Sequence, residues 1–103
     1  MEEKRTAHQA LVTRVLEGDG RASRAERRAA FDDATLIEPL RGLISKVAKH
    51  ATQIANDDIV AVKEAGLSED QIFELVVCAA VGQATRQYQN ALAALDVAIR
   101  EGS

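Results

Sequence analysis

Three groups of residues have the types and spacing to do chemistry. The first is His50 with Asp57 and Asp58. A histidine beside a carboxylate is an acid–base pair, because imidazole exchanges a proton near neutral pH. The two aspartates are adjacent, so on a helix they diverge by about 100° and do not easily hold one ion together. The second group is Arg86 and Tyr88, with Gln83 close by in sequence. Polar groups beside an apolar helical stripe can line a ligand pocket. The third is the lone cysteine, Cys78, within Val76-Val77-Cys78-Ala79-Ala80. Thiol chemistry needs a thiolate, and an apolar setting opposes ionisation, so Cys78 reads as structural. One Cys and two His (His8 and His50) leave no spaced ligand set, and no metal is expected. Gly18-Asp19-Gly20 follows a helical pattern and not a strand, so it is no phosphate loop, and no cofactor is expected. Arg24, Arg27 and Arg28 form a basic cluster, read as a solvated face paired with Glu26, Asp32 and Asp33, the alternative being an anion or partner contact.

Composition bounds the functions further. The chain has 103 residues, 47% of them hydrophobic and 28% charged, which suits one folded domain. The net charge is −3 and aromatic residues make up 3%. Phosphate binding needs a basic surface and single strands need stacking platforms, so a nucleic-acid partner is not expected. The longest strongly apolar run, Leu75 to Val81, is far short of the ~20 residues that span a bilayer. Neither a membrane partner nor a signal peptide is expected, and the expected location is the cytoplasm.

The elements that must position these residues read as helices throughout. Ala, Leu, Glu, Arg and Gln dominate, all of them helix formers. A first helix is expected over 3–17, with Ala7, Leu11, Val12, Val15 and Leu16 as its buried stripe. Ser23-Arg24-Ala25-Glu26 is a capping box opening a short helix to about Asp32. Thr35-Leu36-Ile37-Glu38 repeats the pattern and predicts a helix over 36–54, with Pro39 in its first turn. Asn56-Asp57-Asp58 opens a helix that stops at Gly66. Ser68-Glu69-Asp70-Gln71 opens a nearly all-apolar helix over 69–82. Gly82 either breaks that helix or permits close approach of a neighbour. An amphipathic helix over 84–100 is expected to pack on this core. The expected fold is all-α, a single helical domain over 1–103, with N-terminal helices in 1–34 and the core in 35–101.

Two stretches resemble the alkylhydroperoxidase D and carboxymuconolactone decarboxylase-like superfamily. One is Lys46-Val47-Ala48-Lys49-His50-Ala51-Thr52-Gln53-Ile54-Ala55-Asn56-Asp57-Asp58. The other runs from Val62 through Ala65-Gly66-Leu67-Ser68 to Val76, followed by Ala79-Ala80-Val81-Gly82. The resemblance covers half to two thirds of the chain. It implies a compact bundle of five or six helices, a bacterial-type protein and a homo-oligomeric habit. Redox members carry Cys-x-x-Cys followed four residues later by His, and those positions correspond to Ala51, Ile54 and Asp58 here. The resemblance therefore implies fold and assembly but not peroxidase activity. Resolving a sulfenic acid inside one chain needs a second thiol, and this chain has one.

Two functions follow as expectations. One is a redox-inactive, self-associating helical scaffold or small-ligand binder, with Arg86 and Tyr88 as ligand-binding candidates. The alternative is a cysteine-independent acid–base enzyme, decarboxylase- or isomerase-like, with His50, Asp57 and Asp58 as catalytic candidates. Phe73, Val77 and Val81 form a second apolar line on the 69–82 helix, more than one core-facing stripe requires, and point to a homo-oligomer.

Overall fold

A computed structural model describes residues 2–34 and 36–102, with side chains from Arg5 onward. The described residues form five α-helices and no strand: α1 (Glu2–Glu17), α2 (Arg24–Phe31), α3 (Leu40–Lys49), α4 (Asn56–Glu64) and α5 (Glu69–Gly102). The all-α expectation holds. A single 3-10 turn, Ala51–Gln53, links α3 to α4.

Local chemistry sets most of the helix ends. Ser23 accepts the Glu26 amide at 3.1 Å and Glu26 accepts the Ser23 amide at 3.3 Å, closing the capping box of α2. Ser68 and Gln71 do the same for α5, at 3.1 and 2.8 Å. Helix α4 ends in a Schellman turn: Gly66 has φ of 108°, and the Leu67 amide reaches back to the Val62 carbonyl at 3.4 Å.

Helix α3 is shorter than the sequence predicts. It starts at Leu40, not near residue 36, and ends at Lys49, not at 54. The residue before a proline avoids the helical region, so Glu38 stays outside and Pro39 takes the N-cap position. The Glu38 carboxylate then accepts the Gly42 amide at 3.2 Å. Thr35, which the expected cap of this helix required, lies outside the described residues. At the other end His50 leaves helical geometry, with φ of −142° and ψ of 54°.

Helix α5 is the axis of the fold and touches each of the other four helices. Leu75, Cys78 and Ala79 on it meet Leu43 and Ile44 from α3, Val62 from α4 and Ala30 from α2 in the core. Gly82 does not break the helix, which runs on for 34 residues. Instead it brings α5 against the end of α2: a Cβ at Gly82 would overlap the Phe31 carbonyl. Arg86, one turn on, donates to that same Phe31 carbonyl oxygen at 2.6 Å. The 84–100 segment packs only in part, because every residue from Ala93 to Gly102 is exposed.

Charged side chains tie the remaining helix ends to their neighbours. The Glu74 carboxylate accepts the Arg21 amide at 2.7 Å and the Ala22 amide at 3.0 Å, holding the α1–α2 loop on α5. Gly20 lies so close to this carboxylate that a Cβ there would collide with it. Arg27 departs from the solvated cluster expected of it. It is 6% exposed and donates to the Gly18 carbonyl at the end of α1. Its Nε is buried and has no hydrogen-bond partner among the described residues. Arg28 and Arg24 stay exposed, pairing with Asp32 and Glu17.

Gly82→Ala tests the α2–α5 contact. The obstructing atoms are backbone, so they cannot swing aside. Overpacking of this kind costs about 2 kcal/mol, more than the roughly 1 kcal/mol that alanine gains inside a helix. The urea midpoint of Gly82→Ala is therefore expected below that of the wild type, with the same slope.

Candidate functional site

The structure does not join His50 to the two aspartates. His50 is exposed at the end of α3, and among the described residues no hydrogen bond or ion pair links it to Asp57 or Asp58. Asp58 has a structural partner set. Its carboxylate accepts the Ala55 amide at 2.8 Å and the Lys46 ammonium at 2.9 Å, which caps α4 and ties it to α3. The Ala55 N–H, followed by Lys46, holds the Asp58 carboxyl below its ordinary value of 3.8. Asp57 is exposed in the first turn of α4.

Cys78 is 1% exposed, and its thiol donates to the Val15 carbonyl at 3.3 Å. Burial is the main reason its pKa is raised; the negative Glu74 adds to the rise and the positive Arg27 opposes it. The thiol is therefore held protonated and covered. Among the described residues no group of three or more His, Cys, Asp or Glu side chains could hold a metal ion. No helix is long and apolar enough to cross a membrane.

Arg86 and Tyr88 separate. Arg86 is occupied by the Phe31 carbonyl and by Gln83 Oε1 at 3.1 Å. Tyr88 instead faces a cleft of about 420 Å³ between α1, α2 and α5. Its ring lies 5.5 Å from that of His8, tilted by 34°. His8 Nε2 is 2.9 Å from Thr85 Oγ1. The Thr85 hydroxyl spends its one proton on the Val81 carbonyl at 2.7 Å, so in the contact with His8 it can only accept. His8 must then carry hydrogen on Nε2 and donate it to the Thr85 hydroxyl.

Of the residues in this cleft, the sequence marks Tyr88 as a ligand-binding candidate and Arg28 as part of a basic cluster, and it does not mark Arg5 or Thr85 or join His8 to them. A signal was present. Arg5, His8, Gln9 and Val12 share one face of α1, and Thr85, Tyr88, Gln89 and Leu92 repeat that spacing on α5. Only the fold shows that the two faces meet, because His8 and Thr85 are 77 residues apart. The chain matches no protein-family model, no curated protein and no solved structure.

Two outcomes check this assignment of roles. Cys78 should react with a disulfide reagent orders of magnitude more slowly in the native protein than in denaturant, and labelling should track unfolding. Asp58→Asn should lower stability at pH 7. A depressed carboxylate pKa contributes stability above its unfolded value, and that contribution is lost as pH falls through the folded value. The difference between wild type and variant, read from urea midpoints, should therefore shrink as the pH drops below 3.8.

Proposed function

We propose that this chain is a self-associating helical protein of the alkylhydroperoxidase D-like kind, without thiol redox chemistry, whose α5 stripe is covered by a second copy of itself. The carrying observation is the exposed apolar length of α5. Ten consecutive residues, Ala93 to Gly102, are exposed at the C-terminal end of α5. Isolated helices under about 12–15 residues are marginal in water, so such a segment calls for a packing partner. Its sequence is apolar enough to want one: Leu95 is 53% exposed and Val97 50%, with Asp96, Arg100 and Glu101 as its charged residues.

Area supports the same reading. The chain exposes 7102 Å². A compact monomer of 11.1 kDa exposes roughly 5,700 Å². The surplus, about 1,400 Å², exceeds the ~800 Å² that each partner contributes to a standard interface. The radius of gyration, 15.8 Å, exceeds the ~13 Å of a compact chain of this length for the same reason. Phe73, 69% exposed at the other end of α5, extends the uncovered apolar surface. Val77 and Val81, expected on the same line, are half-buried in the monomer. The order of α3, α4 and α5, joined through the Gly66 turn, is what the superfamily resemblance implies. The buried single thiol supports the absence of peroxidase chemistry.

Sedimentation equilibrium at micromolar concentration should give at least a dimer, and Leu95→Asp should give a folded monomer that loses helix only in the last turns of α5. Leu95 supports nothing in the core, so this variant separates assembly from folding. A wild-type mass of 11.1 kDa overturns the reading.

A further inference from the structure

The cleft between α1, α2 and α5 differs in charge from the protein as a whole. The protein as a whole is acidic, with 16 carboxylate side chains against 13 Lys and Arg. Yet the cleft is lined by two arginines, Arg5 and Arg28, and by no carboxylate. Its floor is apolar, built from Val12, Phe31 and Leu92, and its walls carry His8, Tyr88 and Thr85. A concave site of a few hundred Å³ with an apolar floor and a few convergent polar groups is the usual form of a small-ligand pocket.

The charges select the ligand. Arg5 makes no ion pair among the described residues. Arg28 gives its Nε to Asp32 at 3.2 Å, and its guanidinium lies 5.6 Å from the centroid of the Phe31 ring. Asp32 thus offsets one of the two cations, and the arginines leave a net charge of +1 beside the cleft. That balance suits a monoanion. A guanidinium offers paired N–H donors that match the two oxygens of a carboxylate. An inorganic anion would leave the floor of Val12, Phe31 and Leu92 unused. Thr85 cannot donate to a ligand while its proton is held by Val81, so the donors left on the walls are the Tyr88 hydroxyl and the side-chain amides of Gln9 and Gln89.

We propose that this cleft binds a small organic monocarboxylate, with the carboxylate on Arg28 and Arg5 and the apolar body on Val12, Phe31 and Leu92. His8 is fixed by Thr85 and stacks its ring near Tyr88, which gives the cleft one rigid wall. Arg86, spent on the Phe31 carbonyl, takes no part in binding and keeps the floor in place.

Sodium benzoate is the probe, added to the full chain and followed by amide chemical shifts. Saturable shifts are expected at Thr85, Tyr88 and Gln89, half-complete at about 1–10 mM, as befits a ligand of so few atoms. Benzamide, which keeps the ring but not the charge, should bind at least ten-fold more weakly, and so should inorganic phosphate. Arg28→Gln, at an exposed position, should weaken benzoate without altering the fold. Asp32→Asn should do the opposite: releasing Arg28 from its internal partner should tighten benzoate about three-fold. The proposal is overturned if benzoate gives no saturable shifts, if benzamide or phosphate binds as tightly, or if Arg28→Gln leaves benzoate binding unchanged.

Discussion

The backbone carbonyl of Phe31 is the point on which the arrangement of α2 and α5 turns. It sits at the end of α2, where helical carbonyls have no partner within their own helix. Gly82 lets the backbone of α5 come against it, and Arg86 supplies the missing donor with a full positive charge. Steric and electrostatic conditions are met by two residues one turn apart on one helix. Phe31 also forms part of the cleft floor, so the contact that fixes α2 on α5 fixes the shape of the cleft.

The same logic recurs at the other helix ends. Glu74 brings negative charge to the free amides ahead of α2, and Arg27 brings positive charge to the free carbonyls after α1. Both signs agree with the helix dipole. In a chain this small, charged residues that look like candidates for chemistry are spent on joining helices. Asp58 and Lys46 belong to this class, which is why the aspartate serves α4 and does not serve His50. Of the residues lining the cleft, His8 and Thr85 also join α1 to α5, while Arg5 makes no ion pair among the described residues.

What could be read from sequence follows from the range of the forces involved. Ser23 with Glu26, Ser68 with Gln71, and the Gly66 turn are local devices, complete within six residues, and each forms as its pattern implies. The ends of α3 were less legible. Pro39 can sit inside a first turn or ahead of it, and no glycine marks the stop at His50. Gly82 offered two readings that only a neighbour could decide between. Arg27 has the sequence setting of a solvated residue, because nothing near it announces the end of α1 folding back over it. The cleft was the least legible, since its two main walls come from opposite ends of the chain and neither wall alone departs from an ordinary helix surface.

The face of α5 that closes the cleft does not stop there. Thr85, Tyr88, Leu92, Leu95 and Ile99 are spaced three, four, three and four residues apart. Their mean period is close to 3.5 residues, below the ~3.6 of a straight helix, so the stripe drifts by roughly 20° per seven residues around the α5 axis. A helix laid along it keeps contact only by winding with a left-handed superhelical sense, the geometry of knobs seated in holes. Leu92 is at once the last apolar residue lining the cleft and the residue from which the stripe runs on into the exposed end of α5. The seam of such a coil would therefore begin at the mouth of the cleft, with pocket and superhelix sharing a single register.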